Sequence, residues 1–199
     1  MVFAVNVGDF GTVASFSDKI SALFRKMDEG YAAAAEHYGF VCAGCTESCC
    51  QTRFYHHTLI EYMYLHAGLQ TLETEDRRII RDRALNAVSC TDNQPADHVM
   101  CPLNQDGRCR LYDYRPMICR LHGLPHELHH PVRGICRSPG CHEFEAYHAG
   151  KPYVPFDRTP LYRQLAELET SFRQKTGSCE KIKMTIAEMV IHYEEKGED

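Results

Sequence analysis

Cysteine is the residue type with the most chemistry to offer in this sequence. There are 11 cysteines among 199 residues, and nine of them form two groups between Cys42 and Cys141. Thiolates are nucleophiles and soft metal ligands, suited to zinc and to iron-sulfur clusters. The first group is Cys42-Ala-Gly-Cys45-Thr-Glu-Ser-Cys49-Cys50. A structural zinc site of four cysteines usually draws on two C-x2-C knuckles, and here only Cys42 and Cys45 supply one. The adjacent pair is more telling. Neighbouring side chains diverge, so Cys49 and Cys50 are expected to reach different metals, or different irons of one cluster, which implies a polynuclear site.

The second group is Cys101-Pro-Leu, then Cys109, then Arg115-Pro-Met-Ile-Cys119-Arg120, then Cys136 and Cys141. Ligands this far apart must be gathered by the fold, and the prolines and glycines between them can hold the turns that do so. The nine thiols suffice for two four-coordinate sites, or for one cluster with extra ligands, leaving one over. Cys90 and Cys179 lie outside both groups and are expected to be partly buried free thiols. Arg108, Arg110, Arg115, Arg120, Arg133 and Arg137 are interleaved with the second group. They offset the net charge of a thiolate centre by hydrogen bonding to its sulfurs, or they belong to a solvated loop surface; the sequence leaves both open.

The elements that must position these thiols are mainly helical. From Ser17 to Tyr38 the apolar residues Ile20, Leu23, Phe24, Met27, Tyr31, Ala34, Ala35 and Tyr38 keep helical spacing, and Gly39 offers a stop. A second helix is expected from Thr58, with Thr58-Leu-Ile-Glu61 as a capping box, ending near Gly68. Thr74 caps a third that carries Ile79, Ile80, Leu85 and Val88. Between Ser89 and Pro160 prolines recur and helical periodicity is lost. There, Asp106-Gly107 predicts a short hairpin with a cysteine on each arm. Thr159-Pro160 opens a helix with Leu161, Leu165, Leu168 and Phe172 that ends before Gly177, and a last helix carries Ile182, Ile186, Met189, Val190 and Tyr193. The expected fold is a single, mainly α domain over 1–199. Its cysteine-cluster region, 42–141, is irregular and loop-rich, and is flanked by an N-terminal helix over 17–38 and C-terminal helices over 160–195.

Composition narrows the partners. The net charge of -5, from 22 Lys and Arg against 27 Asp and Glu, disfavours nucleic acid, whose binding leaves a basic footprint. No Lys or Arg precedes Lys19, so the basic region of a secretory signal is missing, and no apolar run approaches the roughly 20 residues needed to cross a bilayer. The expectation is a cytoplasmic chain that meets no membrane. In that reducing compartment a thiol cluster reports metal or redox chemistry rather than disulfides.

Other motifs compete poorly. His126-Glu-Leu-His-His130 satisfies the H-E-x-x-H zinc pattern, but it lies between Pro125 and Pro131, in a span too short for the helix that this geometry needs. His122, three residues after Cys119, is the better candidate for a histidine beside a metal centre, although an ordinary loop histidine is the simpler reading. No one cysteine is matched to a histidine base, so a Cys-His mechanism cannot be assigned. No phosphate-binding glycine loop is present. The tyrosines Tyr31, Tyr38, Tyr62 and Tyr64 read as core.

The run from Cys42 to Cys50, followed by Cys-Pro-Leu, then Asp-Gly-Arg-Cys-Arg-Leu-Tyr and Arg-Pro-Met-Ile-Cys-Arg, resembles the YkgJ-like cysteine cluster family, described as a zinc- or iron-chelating domain. The resemblance covers about half the chain, from Cys42 to Cys141. The sequence departs from the family's C-x2-C-x2-C-C form by three residues, not two, between Cys45 and Cys49. The resemblance implies chelation through Cys42, Cys45, Cys49, Cys50, Cys101, Cys109 and Cys119, with Cys136 or Cys141 completing the set.

The sequence-based expectation is an α-helical metalloprotein whose cysteine-ligated centre is an iron-sulfur cluster of the 4Fe-4S type, ahead of zinc, with a redox or electron-transfer role and room for a protein partner. The alternatives are a structural zinc protein, or a cluster-dependent protein-modifying enzyme of the lysine N-methylase kind found in longer members of the family.

Overall fold

The computed structural model describes residues 10–42, 49–93, 99–148 and 150–194. Among these are helices α1 (Phe10–Tyr38), α2 (Leu59–Gln70), α3 (Thr74–Asn93), α4 (Met117–Leu121), α5 (His142–Tyr147), α6 (Thr159–Thr176) and α7 (Ile186–Glu194). Strands β1 (Asn104–Gln105) and β2 (Arg108–Cys109) form one antiparallel hairpin, and β3 (His126–His130) and β4 (Gly134–Ser138) form another. The protein is mainly α with short hairpins, as the sequence predicts.

Helix α1 buries Ile20, Leu23, Phe24, Met27, Ala34, Ala35 and Tyr38, the face that the spacing predicts, and it begins earlier than Ser17. It ends in a Schellman turn. Gly39 has a φ of 61° and donates its N–H to Glu36, while the N–H of Phe40 reaches back to Ala35. The turn drops Phe40 into the core and sends the chain toward Cys42.

Helix α2 is the central helix, buried almost all round. Its start differs from the capping box expected. Thr58 stands at the cap, but its hydroxyl donates to the Glu61 carboxylate at 2.6 Å instead of accepting a backbone N–H. The orphan N–H groups of Leu59 and Ile60 are taken at 2.9 Å each by the two carboxylate oxygens of Glu169, which reaches across from α6. The helix ends at Gln70, near Gly68 as expected, but Gly68 is not itself the stop. It lies inside α2 because Tyr114 occupies the space where a side chain would stand: a Cβ there would sit 2.5 Å from the ring.

Helix α3 packs on α7 and buries Ile80, Ala84 and Ala87, while Ile79 and Leu85 are exposed. Ile182 precedes α7 instead of joining it, because Met184 runs extended and exchanges two backbone bonds with His56, at 2.7 and 3.0 Å.

In the loop-rich middle, Asp106 and Gly107 have φ values of 52° and 80°, the paired left-handed conformations of a tight hairpin turn. The second hairpin carries no alternating run of β-formers and was not expected. It is held from outside: Glu127 exchanges backbone bonds with Phe156 and Arg158 at 2.9 and 3.0 Å, fixing β3 against the entry to α6. Helix α1 packs on α2, α4 and α6, so one side of this middle region rests on the helical core. Among the described residues, no helix is long and apolar enough to cross a membrane.

Candidate metal centre

The folded backbone brings separate cysteine stretches together. Cys49 and Cys50 open a short 3-10 turn, Cys49–Gln51. Cys101 donates its N–H to the carbonyl of Cys50 at 2.8 Å and accepts from the N–H of Asn104 at 2.9 Å. Asn104 pairs across the first hairpin with Cys109. Cys119 lies in α4, whose first residue, Met117, donates its N–H to the buried Glu61 carboxylate at 2.8 Å. Cys141 stands at the cap of α5 and donates its N–H to Gly123 at 2.9 Å.

Cys42, Cys49, Cys50, Cys101, Cys109, Cys119 and Cys141 all line one cavity of about 890 Å³. Cys136 does not. It lies on β4, opposite Leu128, and its sulfur faces the carbonyl of Gly134. Cys45 lies outside the described residues. Cys179 is exposed, not partly buried as expected. Soft thiolates are a donor set that fits zinc or an iron-sulfur centre. As they stand, no three His, Cys, Asp or Glu side chains among the described residues are close enough together to hold an ion. The vicinal pair also departs from expectation: on the 3-10 turn the thiols of Cys49 and Cys50 face each other, and Cys49 donates to Cys50.

Crowding governs the protonation of these thiols. The hydrogen bond to Cys50, burial, and the nearby thiols of Cys50, Cys42 and Cys119 all push the Cys49 thiol well up. Burial raises Cys101, with Cys119, Cys50 and Cys109 adding to it. Cys119 is pushed up to about 12 by burial and by Cys109 and Cys50, and Cys109 is raised mainly by burial. Without a cation, burial and crowding favour the protonated form of the Cys49, Cys101, Cys109 and Cys119 thiols. A bound metal ion inverts that balance, because its charge deprotonates a coordinating thiol.

The six interleaved arginines divide. Arg108, Arg115 and Arg120 line the cavity. Arg115 and Arg120 both favour the thiolate form of Cys109, and Arg115 that of Cys119. Arg120 is 5% exposed and fully engaged: it meets Asp28 at 2.5 Å and the carbonyl of Arg115 at 2.7 Å, donates to the carbonyl of Asp113, and stacks over Phe24. The others face elsewhere. Arg110 pairs with Asp76, Arg137 pairs with Glu127 at 3.1 Å, and Arg133 is exposed at the second hairpin turn.

Several residues of the site carry no cysteine-like signal in the sequence. Tyr31, read as core, packs against the core and also lines the cavity, and its phenol is raised by burial and by the neighbouring thiols of Cys42, Cys141 and Cys49. His56 and His122 also line it, and burial lowers both imidazoles. His122 packs its ring against Phe54. The H-E-x-x-H stretch is strand β3, so its terminal histidines are separated by about 13 Å of extended chain. Its glutamate, Glu127, is spent on His129 and Arg137, at 3.1 Å each.

No protein-family model, curated protein or solved structure matches the chain.

Proposed function

We propose that this protein binds an iron-sulfur cluster through the cysteines of the cavity and uses it for redox chemistry or electron transfer. The observation that carries the reading is the backbone bond between Cys101 and Cys50, which joins the two cysteine groups at the wall of one cavity. Three points favour a cluster over mononuclear zinc. The cavity has more thiols than one tetrahedral ion takes, they come from widely separated stretches, and only one C-x2-C knuckle exists in the sequence. Cys50, Cys101, Cys109 and Cys119 are the first candidates for the ligands. The resemblance to the YkgJ-like cysteine cluster family belongs to the same reading, as does a cytoplasmic setting, where thiols stay reduced.

The test is anaerobic purification of the full chain, followed by iron, zinc and sulfide analysis with an optical spectrum. About four irons per chain with matching sulfide, and visible absorption that bleaches on reduction, are the expected result. A colourless protein holding zinc without sulfide would replace this reading with a structural zinc site.

A further inference from the structure

The outer surface beside the cavity carries a charge opposite in sign to that of the whole chain. Residues 52–57 run extended, with Phe54 and His56 turned inward and Arg53, Tyr55 and His57 exposed. The antiparallel bridge between His56 and Met184 lays residues 181–185 alongside, so Lys183 stands next to His57, and Lys181 and Lys183 are exposed on the same side. Two of the cations gather on one aromatic ring: Lys183 Nζ lies 4.5 Å and the Arg53 guanidinium 5.6 Å from the centre of Tyr55.

These cations are not cancelled. Among the described residues no carboxylate pairs with Arg53, His57, Lys181 or Lys183. The acids that adjoin them in the chain are committed elsewhere. Glu61 is buried and accepts from Thr58 and Met117, Glu188 accepts from the N–H and hydroxyl of Thr185, and Glu180 keeps a carboxylate oxygen buried. On a chain of net charge -5 such a cluster is a local reversal of sign. Its field attracts an anionic surface and is screened by salt.

The patch adjoins the proposed centre. Arg53 lies three residues after Cys50, and Thr52, Arg53, Phe54 and Thr185 line the cavity. At the same cavity Val41, Met100 and Tyr112 are 77%, 41% and 60% exposed, apolar surface of the kind that a protein partner covers. A nucleic acid calls instead for a long basic track and is repelled by the net charge, so a protein with an acidic face is the better fit.

We infer that Arg53, Tyr55, His57, Lys181 and Lys183 form the docking face for an acidic protein. The identity of that protein rests on the proposed function: it is the redox partner, which docks beside the cavity and gives one electron to the centre or takes one from it, with no bond made or broken. Complexes of this kind are small, transient and steered by charge.

The probe is a fluorescently labelled plant-type ferredoxin, a small acidic electron-transfer protein, titrated with the full chain as purified and followed by anisotropy. Binding is expected at about 20 mM salt and is expected to be lost by about 300 mM. Lys181→Glu/Lys183→Glu is expected to weaken it about tenfold or more, whereas Arg133→Glu/Arg163→Glu, an equal charge change at the second hairpin turn and α6, is expected to change it less than about twofold. All four positions are exposed, so both variants are expected to fold. No binding at low salt, or the same loss in both variants, overturns the docking face. Tighter binding of an oligouridylate or of phosphatidylserine vesicles than of the ferredoxin overturns the assignment to a protein. Anisotropy does not need the centre, so a chain without iron that still binds the ferredoxin through the two lysines removes the proposed function and leaves the docking face standing.

Discussion

Cys101 donates its backbone N–H to the carbonyl of Cys50 across fifty residues of sequence, at 2.8 Å. This one bond fastens the 3-10 turn of the vicinal cysteines to the entry of the first hairpin. It places Cys49 and Cys50 on the same cavity wall as Cys101 and Cys109. Main-chain bonding fixes the positions of sulfur-bearing residues before any metal arrives, which lowers the entropy lost when a metal binds.

Glu61 and Glu169 do similar work from the helical side. Glu169 takes the first two N–H groups of α2, and Glu61 takes the first N–H of α4, the helix that carries Cys119. Glu169→Ala leaves two buried donors unsatisfied and is expected to destabilise the chain by about 2–3 kcal/mol. Thr58→Ala removes one hydroxyl donor from the buried Glu61 carboxylate, which keeps the N–H of Met117, and is expected to cost about 1 kcal/mol. Urea denaturation of both variants checks this, and an equal cost would return the cap to Thr58.

Gly68 gives a prediction of sign. In an open helix interior, Gly→Ala stabilises by about 1 kcal/mol. At Gly68 the added methyl would stand 2.5 Å from the Tyr114 ring, so Gly68→Ala is expected to destabilise by about 1–3 kcal/mol. In a Tyr114→Ala background the same change is expected to become favourable. A stabilising Gly68→Ala in the natural sequence would contradict the packing described.

His56 sets an acid limit. Burial, with His57 adding to it, lowers its imidazole from 6.5 to about 4. The unfolded chain then binds the proton more readily, so stability present above about pH 6.5 is lost as pH falls toward 4, by about 3 kcal/mol in full. Denaturation of the metal-free chain at about pH 7.5 and about pH 4.5 is expected to show a smaller loss for His56→Gln than for the natural sequence. Equal losses would show that His56 is not the group responsible.

The sequence carried the long helices because their cores are periodic: the α1 face from Ile20 to Tyr38 and the Gly39 stop follow directly from spacing and φ. The hairpin at Asp106-Gly107 was equally legible, since few residues but these tolerate two positive φ values in succession. What escaped was tertiary. The end of α2 near Gly68 was legible, but the packing reason for the glycine is a ring on another segment, and Thr58 looked like a cap because its competitor, Glu169, is over a hundred residues away. The cysteine groups were visible by type. That Cys136 faces away while Tyr31 faces in depends on the β3–β4 hairpin and on the pitch of α1 against α5, and no local pattern encodes either.

The claim on which the rest depends is that cysteines from both groups hold one inorganic centre, and the most direct test is metal content per chain in three single variants purified without oxygen. Cys50→Ser and Cys101→Ser are each expected to lose the centre, whereas Cys179→Ser, at an exposed thiol outside the cavity, is expected to keep all of it. Full metal content in either of the first two would contradict the claim.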